Sequence, residues 1–186
     1  MHSNEEDVET KLRRIAEKAG REPRFQFTSL FHLMNEELLL GCFERLRNDA
    51  AAGIDGVTKA DYTANLAANL QDLVKRLHRM AYRPQPVRRV YIPKPGSTNQ
   101  RPLGIPAQED KLVQAGLVRI LQAVYEQDFI DDSYGFRPNR GCHDALRALS
   151  RTVENRPVNW IVEADIRGFF DNVDHDRLMA FVAHRI

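Results

Sequence analysis

Val87-Arg88-Arg89-Val90-Tyr91-Ile92 runs into Pro93-Lys94-Pro95-Gly96-Ser97-Thr98-Asn99-Gln100 and then into Arg101-Pro102-Leu103-Gly104-Ile105. A β-branched and aromatic run, a Pro/Gly/Ser turn cluster and a second short run spell strand, turn and returning strand. Helical patterns flank it on both sides. From Asp61 to Ala81, Tyr62, Leu66, Leu70, Leu73, Leu77 and Met80 recur at the helical period, and Pro84 and Pro86 stop that helix. From about Glu109 to Gln127, Leu112, Val113, Gly116, Leu117, Ile120, Leu121 and Val124 share one face. A hairpin set among helices makes the fold class α+β, rich in helix.

Outward from the hairpin, Asp49-Ala50-Ala51-Ala52-Gly53-Ile54-Asp55-Gly56 is a turn bracketed by two glycines. A helix before it starts after Asn35, a good N-cap, and carries Leu39, Phe43 and Leu46. Residues 5–20 form a charged amphipathic helix on Val8, Leu12, Ile15 and Ala19, ended by Pro23. On the other side, Ser133 to Gly141 is a loop and His143 to Glu154 a helix. Val158-Asn159-Trp160-Ile161-Val162-Glu163-Ala164-Asp165 alternates as a strand, and a last helix runs from about Asp176, with Asp174 as its cap.

The chain has 186 residues, 42% hydrophobic and 28% charged, with a formal net charge of +1. That length suits one domain, or one domain plus part of another. No apolar run approaches the ~20 residues of a membrane span, so no membrane partner is expected. Cys42 reads as core and Cys142 as a helix-start residue; with no CxxC or ligand set, they fit a reducing cytoplasm. The near-zero charge is segregated. Between Leu73 and Gln108 there is no acid, while Lys75, Arg76, Arg79, Arg83, Arg88, Arg89, Lys94 and Arg101 supply eight positive charges. The rest of the chain holds 19 basic and 26 acidic residues, a net of −7. Such a run is the footprint of a phosphate-binding surface, or simply a solvated helix face and a soluble hairpin.

Asp165, at the end of the expected strand, with Glu163 two residues before it, can serve a divalent metal and phosphate, or merely cap a turn. Phe169 and Phe170 follow; one ring can stack under a nucleotide sugar, or both can pack in a core. Lys94 and Arg101 flank the hairpin turn and can close on a triphosphate, lysine as a point charge and arginine as a fork. Tyr134, Phe136, Arg137 and Arg140 interleave aromatics with cations, a pattern for stacking on bases and contacting phosphates. His143 reads as a helix-start residue rather than a metal ligand.

The order of these strings is more telling than any one. Gly53-Ile54-Asp55-Gly56-Val57-Thr58, Ile92-Pro93-Lys94-Pro95-Gly96, Arg101-Pro102-Leu103-Gly104-Ile105-Pro106, Ser133-Tyr134-Gly135-Phe136-Arg137-Pro138 with Arg140 and His143, and Ala164-Asp165-Ile166-Arg167-Gly168-Phe169-Phe170-Asp171-Asn172-Val173-Asp174-His175 follow one another. This resembles the bacterial group II intron-encoded reverse transcriptases, from about Phe25 to the C-terminus. Reverse transcriptases outside introns, such as defence-associated ones, share much of the pattern. Two departures stand out: Asp49-Ala50-Ala51-Ala52 replaces a lead that usually carries a cation, and Glu109-Asp110-Lys111 stands where Asp-Arg is frequent.

The resemblance implies a right-hand polymerase. Residues 1–22 would be a charged helical extension, 23–157 the fingers with the family's N-terminal extension, and 158–186 the start of the palm. It implies RNA-directed DNA synthesis with two Mg²⁺ ions, Asp165 as the first catalytic metal-binding aspartate and the Ile166 carbonyl as a further ligand. Lys94 and Arg101 would grip the incoming dNTP, and Phe170 (or its neighbour Phe169) would screen the sugar. Arg88, Arg89, Arg137, Arg140 and His143 would lie along nucleic acid. The implied partners are RNA template or intron RNA, a primer strand and dNTP, in a bacterial cytoplasm. Lacking the Tyr-x-Asp-Asp strand, the 186 residues are expected not to polymerise alone, and self-association through palm or N-terminal helices is expected. A non-catalytic RNA-binding splicing module is the alternative.

Overall fold

The computed structural model describes residues 7–93, 95–96 and 98–186. It contains helices α1 (Val8–Arg21), α2 (Glu36–Arg45), α3 (Lys59–Thr63) and α4 (Leu66–His78), strands β1 (Arg88–Pro93) and β2 (Gln100–Ile105), and helices α5 (Gln108–Tyr125), α6 (Cys142–Asn155) and α7 (His175–Ala183). The strands pair antiparallel, Arg88 opposite Ile105 and Pro93 opposite Gln100, as the sequence pattern requires. The class is mixed helix and sheet.

The described residues divide into two compact units, residues 7–14 with those of 29–122, and residues 15–28 with 123–186. In the first, Asn35 caps α2 by accepting from Leu38 N at 2.9 Å. The cap starts the helix so that Leu38, Leu39, Cys42 and Phe43 all turn inward. Leu70, Leu73 and Leu77 of α4 and Leu112 and Ile120 of α5 are likewise buried. Gly116 admits close packing within α5: a Cβ there would stand 2.8 Å from the Met34 sulfur and 3.2 Å from Leu39.

One helix expected from Asp61 to Ala81 is two. Thr58 and Asp61 form a capping box that starts α3, and Asn65 leaves the helical region before α4 begins. The Asn69 amide donates to the Tyr62 carbonyl at 3.1 Å, satisfying an acceptor freed by the break. Tyr62, Leu66 and Leu70 keep a helical spacing through the interruption, so periodicity alone hides it.

Acid–phenol pairs lie at the start of α5. Tyr62 donates to Glu109 at 3.4 Å, and Tyr82 donates to Asp110, which also accepts from Gln85 N at 3.0 Å. Burial first, then the neighbouring carboxylates, push both hydroxyls well above the ordinary tyrosine range. The folded state thus favours the protonated phenols, a stabilisation present below about pH 10 and lost as pH rises towards the raised values. The melting temperature should fall steeply above about pH 10, and the fall should be shallower in Tyr62→Phe, as calorimetry across that range would show.

The second unit closes on Arg185. Its side chain is 2% exposed. Nη2 donates to Ala19 O and Nη1 to Glu22 O, each at 3.1 Å, and Nη1 also reaches Pro23 O. These carbonyls lie in and just past the last turn of α1, where a helix leaves acceptors unsatisfied and its dipole is negative. The Nε stands 3.1 Å from Asp128 Oδ2 as an ion pair, with its N–H directed off the oxygen. Phe27 N donates to Arg185 O at 2.7 Å and Tyr125 Oη to Val182 O at 2.7 Å, so the same stretch is tied from three sides.

The strand expected over Val158–Asp165 does not form: no regular element lies between Asn155 and Phe170. A strand needs a neighbour for its hydrogen bonds, and among the described residues β1 and β2 make the whole sheet. Trp160 and Val162 are 88% and 89% exposed. The expected cap does hold at α7, where Asp174 Oδ1 accepts from Arg177 N at 3.0 Å.

Candidate nucleotide and nucleic-acid site

In the first unit the basic run sits on α4, the segment after it, and the hairpin. Its eight cations are not equivalent. Arg76 gives two hydrogen bonds to Glu109 at 2.7 and 2.8 Å and one to Asp72 at 2.7 Å, which removes it from a phosphate-binding role. Arg88 donates from Nε and Nη2 to Ala52 O at 3.0 and 2.7 Å. Lys111 Nζ donates to Ala51 O at 2.6 Å, so Arg88 and Lys111 together hold the turn ahead of Gly53. Arg83 bonds the carbonyls of Met80 and Tyr82.

Lys75, Arg79, Arg89 and Arg101 are exposed, and their side chains make no hydrogen bond or ion pair among the described residues. Arg89 and Tyr91 alternate with the half-buried Val90 and Ile92, so both point to the same open face of β1. Tyr91 is 58% exposed; an aromatic ring beside a cation is a stacking surface that the hairpin reading overlooked, although its period-two spacing from Arg89 marks it. Lys94 lies outside the described residues.

In the second unit Asp165 is exposed and free of hydrogen bonds and ion pairs among the described residues. Its position on an irregular segment replaces the expected strand end. Neighbouring Ile166 is also exposed, with its side chain outward. No three His, Cys, Asp or Glu side chains cluster to hold a metal among the described residues. The donor chemistry still suits magnesium, which takes one or two carboxylates and completes its shell with phosphate oxygens and water. Phe169 and Phe170 meet edge to face, centroids 5.2 Å apart, at a turn where Gly168 takes φ 60° and Asn172 donates to Gly168 O at 2.7 Å. Phe170 is the more exposed of the two.

The loop before α6 corrects a further expectation. Arg137, read as a nucleic-acid contact, has a side chain only 6% exposed. It donates to Glu126 at 2.9 Å, Ile130 O at 2.8 Å and Ser133 O at 2.9 Å, and its guanidinium lies over the Phe129 ring. Those bonds turn its donors inward, so here it shapes the loop. Arg140 is fastened to Asp131 and lies 5.7 Å over the Tyr134 ring. Phe136 and Asn139 adopt positive φ, 57° and 58°, and the Phe136 ring is fully exposed. His143 stands in the first turn of α6, where Asp144 accepts from Gly141 N at 2.9 Å. No helix among the described residues is long and apolar enough to cross a membrane.

The sequence profile of a family described as reverse transcriptase (RNA-dependent DNA polymerase) matches residues 92–185. The chain is 36% identical over 176 residues to the group II intron-encoded protein LtrA of Lactococcus lactis subsp. cremoris, covering 94% of this chain and 29% of LtrA. It is 37% identical over 182 residues to the protein YkfC of Escherichia coli, covering 94% of this chain and 47% of YkfC. An uncharacterized 91 kDa protein in a cob intron of Schizosaccharomyces pombe is 34% identical over 155 residues, 83% of this chain and 19% of that protein. The chain thus spans less than a third of LtrA and about half of YkfC.

Proposed function

Because the chain belongs to the reverse transcriptase (RNA-dependent DNA polymerase) family, we propose that it supplies the fingers and the first part of the palm of a polymerase that copies RNA into DNA. The observation that carries this reading is the acid-free hairpin, which exposes Arg89 and Tyr91 on one face and Arg101, paired with Ile92, on the other. Phosphate binding is favoured by cations held by no acid, and among the described residues Arg89 and Arg101 are such cations.

On this reading Lys75, Arg79 and Arg89 contact the backbone of an RNA template. Arg101 holds the incoming dNTP, with Lys94 beside it on sequence grounds alone. Asp165 and the Ile166 carbonyl hold Mg²⁺, and Phe170, supported edge-on by Phe169, offers its ring to the sugar. When bound, magnesium neutralises the triphosphate and favours loss of the primer hydroxyl proton. The similarity to intron-encoded proteins makes intron RNA the proposed template. Two-metal transfer places ions about 3.5–4 Å apart and needs more carboxylate than Asp165 provides. The 186-residue polypeptide by itself is therefore read as a binder of RNA and nucleotide.

The test is binding of a short fluorescein-labelled single-stranded RNA, followed by anisotropy across a salt series. Affinity should fall linearly in log–log form, whatever the RNA sequence. Arg79→Glu with Arg89→Glu should weaken it about tenfold or more and flatten the slope by about 1.4, at roughly 0.7 per lost phosphate contact. These two are preferred to Arg88, whose removal would also release the Ala52 carbonyl. Binding that ignores salt and both substitutions would refute the reading.

A further inference from the structure

The hairpin is not the sole cationic surface. From Ser133 to Arg156 the chain carries five arginines and two acids, a local net charge of +3. Arg137 and Arg140 are used within their loop. Arg147 and Arg151 are not. They stand one helical turn apart on α6, a rise of about 6 Å, on the same side of the helix. The Arg147 side chain is 68% exposed and bonds Asp144 at 3.0 Å and His143 O at 3.2 Å. Arg151 is exposed, and its side chain makes no hydrogen bond or ion pair among the described residues.

With Tyr134, Asp144 and Ala148, the two arginines line a cleft of about 230 Å³. Arg140 lies over one face of Tyr134, and the phenol hydroxyl makes no hydrogen bond among the described residues. The placement follows from amphipathicity. Leu146, Leu149 and Val153 occupy a different arc of α6, which leaves the arginines on the arc towards Tyr134. One acid faces the cleft, Asp144. Its carboxylate is already shared between Gly141 N and Arg147, so it orients Arg147 rather than standing as an open negative charge. Glu154 is engaged by the Ser150 hydroxyl at 2.8 Å.

We propose that this cleft is a second track for single-stranded RNA, separate from the hairpin. Arg147 and Arg151 each take a backbone phosphate, and Tyr134, backed by Arg140, stacks with a base or ribose. Side chains one turn apart suit consecutive phosphates, and an aromatic wall beside them adds affinity for RNA over a simple anion. The inference rests on the proposed RNA-binding function and adds a surface to it.

The experiment uses the whole 186-residue chain with a fluorescein-labelled single-stranded RNA and a salt series. Arg147→Gln with Arg151→Gln should lower affinity about tenfold and flatten the log–log salt slope by about 1.4. Arg147→Lys with Arg151→Lys should keep the slope, showing that a loss in the glutamine variant comes from charge and not from misfolding. Tyr134→Leu should weaken binding about fivefold or more with the slope unchanged, and Tyr134→Phe should bind as the parent chain does. Unchanged affinity and slope in the glutamine variant, with losses in Arg79→Glu/Arg89→Glu, would overturn this track and leave the first basic surface standing. A parent chain that binds no RNA would overturn both. Loss on arginine substitution without any effect of Tyr134→Leu would overturn the stacking role and reduce the cleft to a plain anion site.

Discussion

Replacing Arg185 with methionine is expected to cost about 3–5 kcal/mol, the range found when one partner of a buried ion pair is removed. Methionine keeps much of the volume, so the loss isolates the charge and its donors. Three carbonyls at the end of α1 lose their donors together, and Asp128 keeps a carboxylate facing an apolar side chain. Each orphaned buried acceptor alone costs about 1–3 kcal/mol. Arg185→Lys should recover only part of the loss, because one ammonium cannot reach carbonyls that the guanidinium fork reaches in several directions. Urea unfolding followed by far-UV circular dichroism measures the loss as a shift of the midpoint. Hydrogen exchange at the α1 C-terminus should locate it. A midpoint equal to that of the parent chain would show that Arg185 does not close this unit.

Gly53→Ala should be nearly as damaging, at about 3 kcal/mol, the upper part of the usual overpacking range. A Cβ on residue 53 would lie 2.5 Å from Ala107 Cα, 2.6 Å from Ala107 N and 2.7 Å from Pro106 O. All three are backbone atoms at the root of β2 and the start of α5, so no side chain can swing aside. The displaced turn carries Ala51 O and Ala52 O, which anchor Lys111 and Arg88. RNA affinity should therefore fall along with stability. Gly56→Ala is the matched control. Gly56 has φ 71° and open space around its Cβ, so its cost is conformational and near 1 kcal/mol. Similar midpoints for the two variants, in the same urea experiment, would contradict the steric account.

Much of the local structure was readable without coordinates. Asn35 and Asp174 are caps because a short polar side chain before an apolar-periodic run can bond an otherwise idle N–H, and both do so here. The hairpin was readable because β-branched and turn residues alternate over a short span, and the strands pair as that pattern demands. The break at Asn65 was not, since apolar spacing survives across it. Nor was the absence of a strand at Val158–Asp165: alternation states which face each side chain would take, and pairing depends on a neighbour that alternation does not supply.

The candidate site divides along the same line. The sequence by itself determined the family resemblance, the acid-free basic run, the placement of Asp165 beside two phenylalanines, and most element boundaries. These are properties of residue order and local spacing. The tertiary structure alone decided which cations remain unpaired. Glu109 pairs with Arg76 and Glu126 with Arg137, while carbonyls at Ala52 and at the end of α1 take up the donors of Arg88 and Arg185. Each partner lies 11 to 166 residues away along the chain. The same residue type, arginine, is a staple in those places and exposed at Arg89, Arg101, Arg147 and Arg151, where only Arg147 is held, by Asp144 and His143 O on its own helix. Chain closure brings a carboxylate or carbonyl to some guanidinium groups and not to others, and no local pattern in the sequence records that difference.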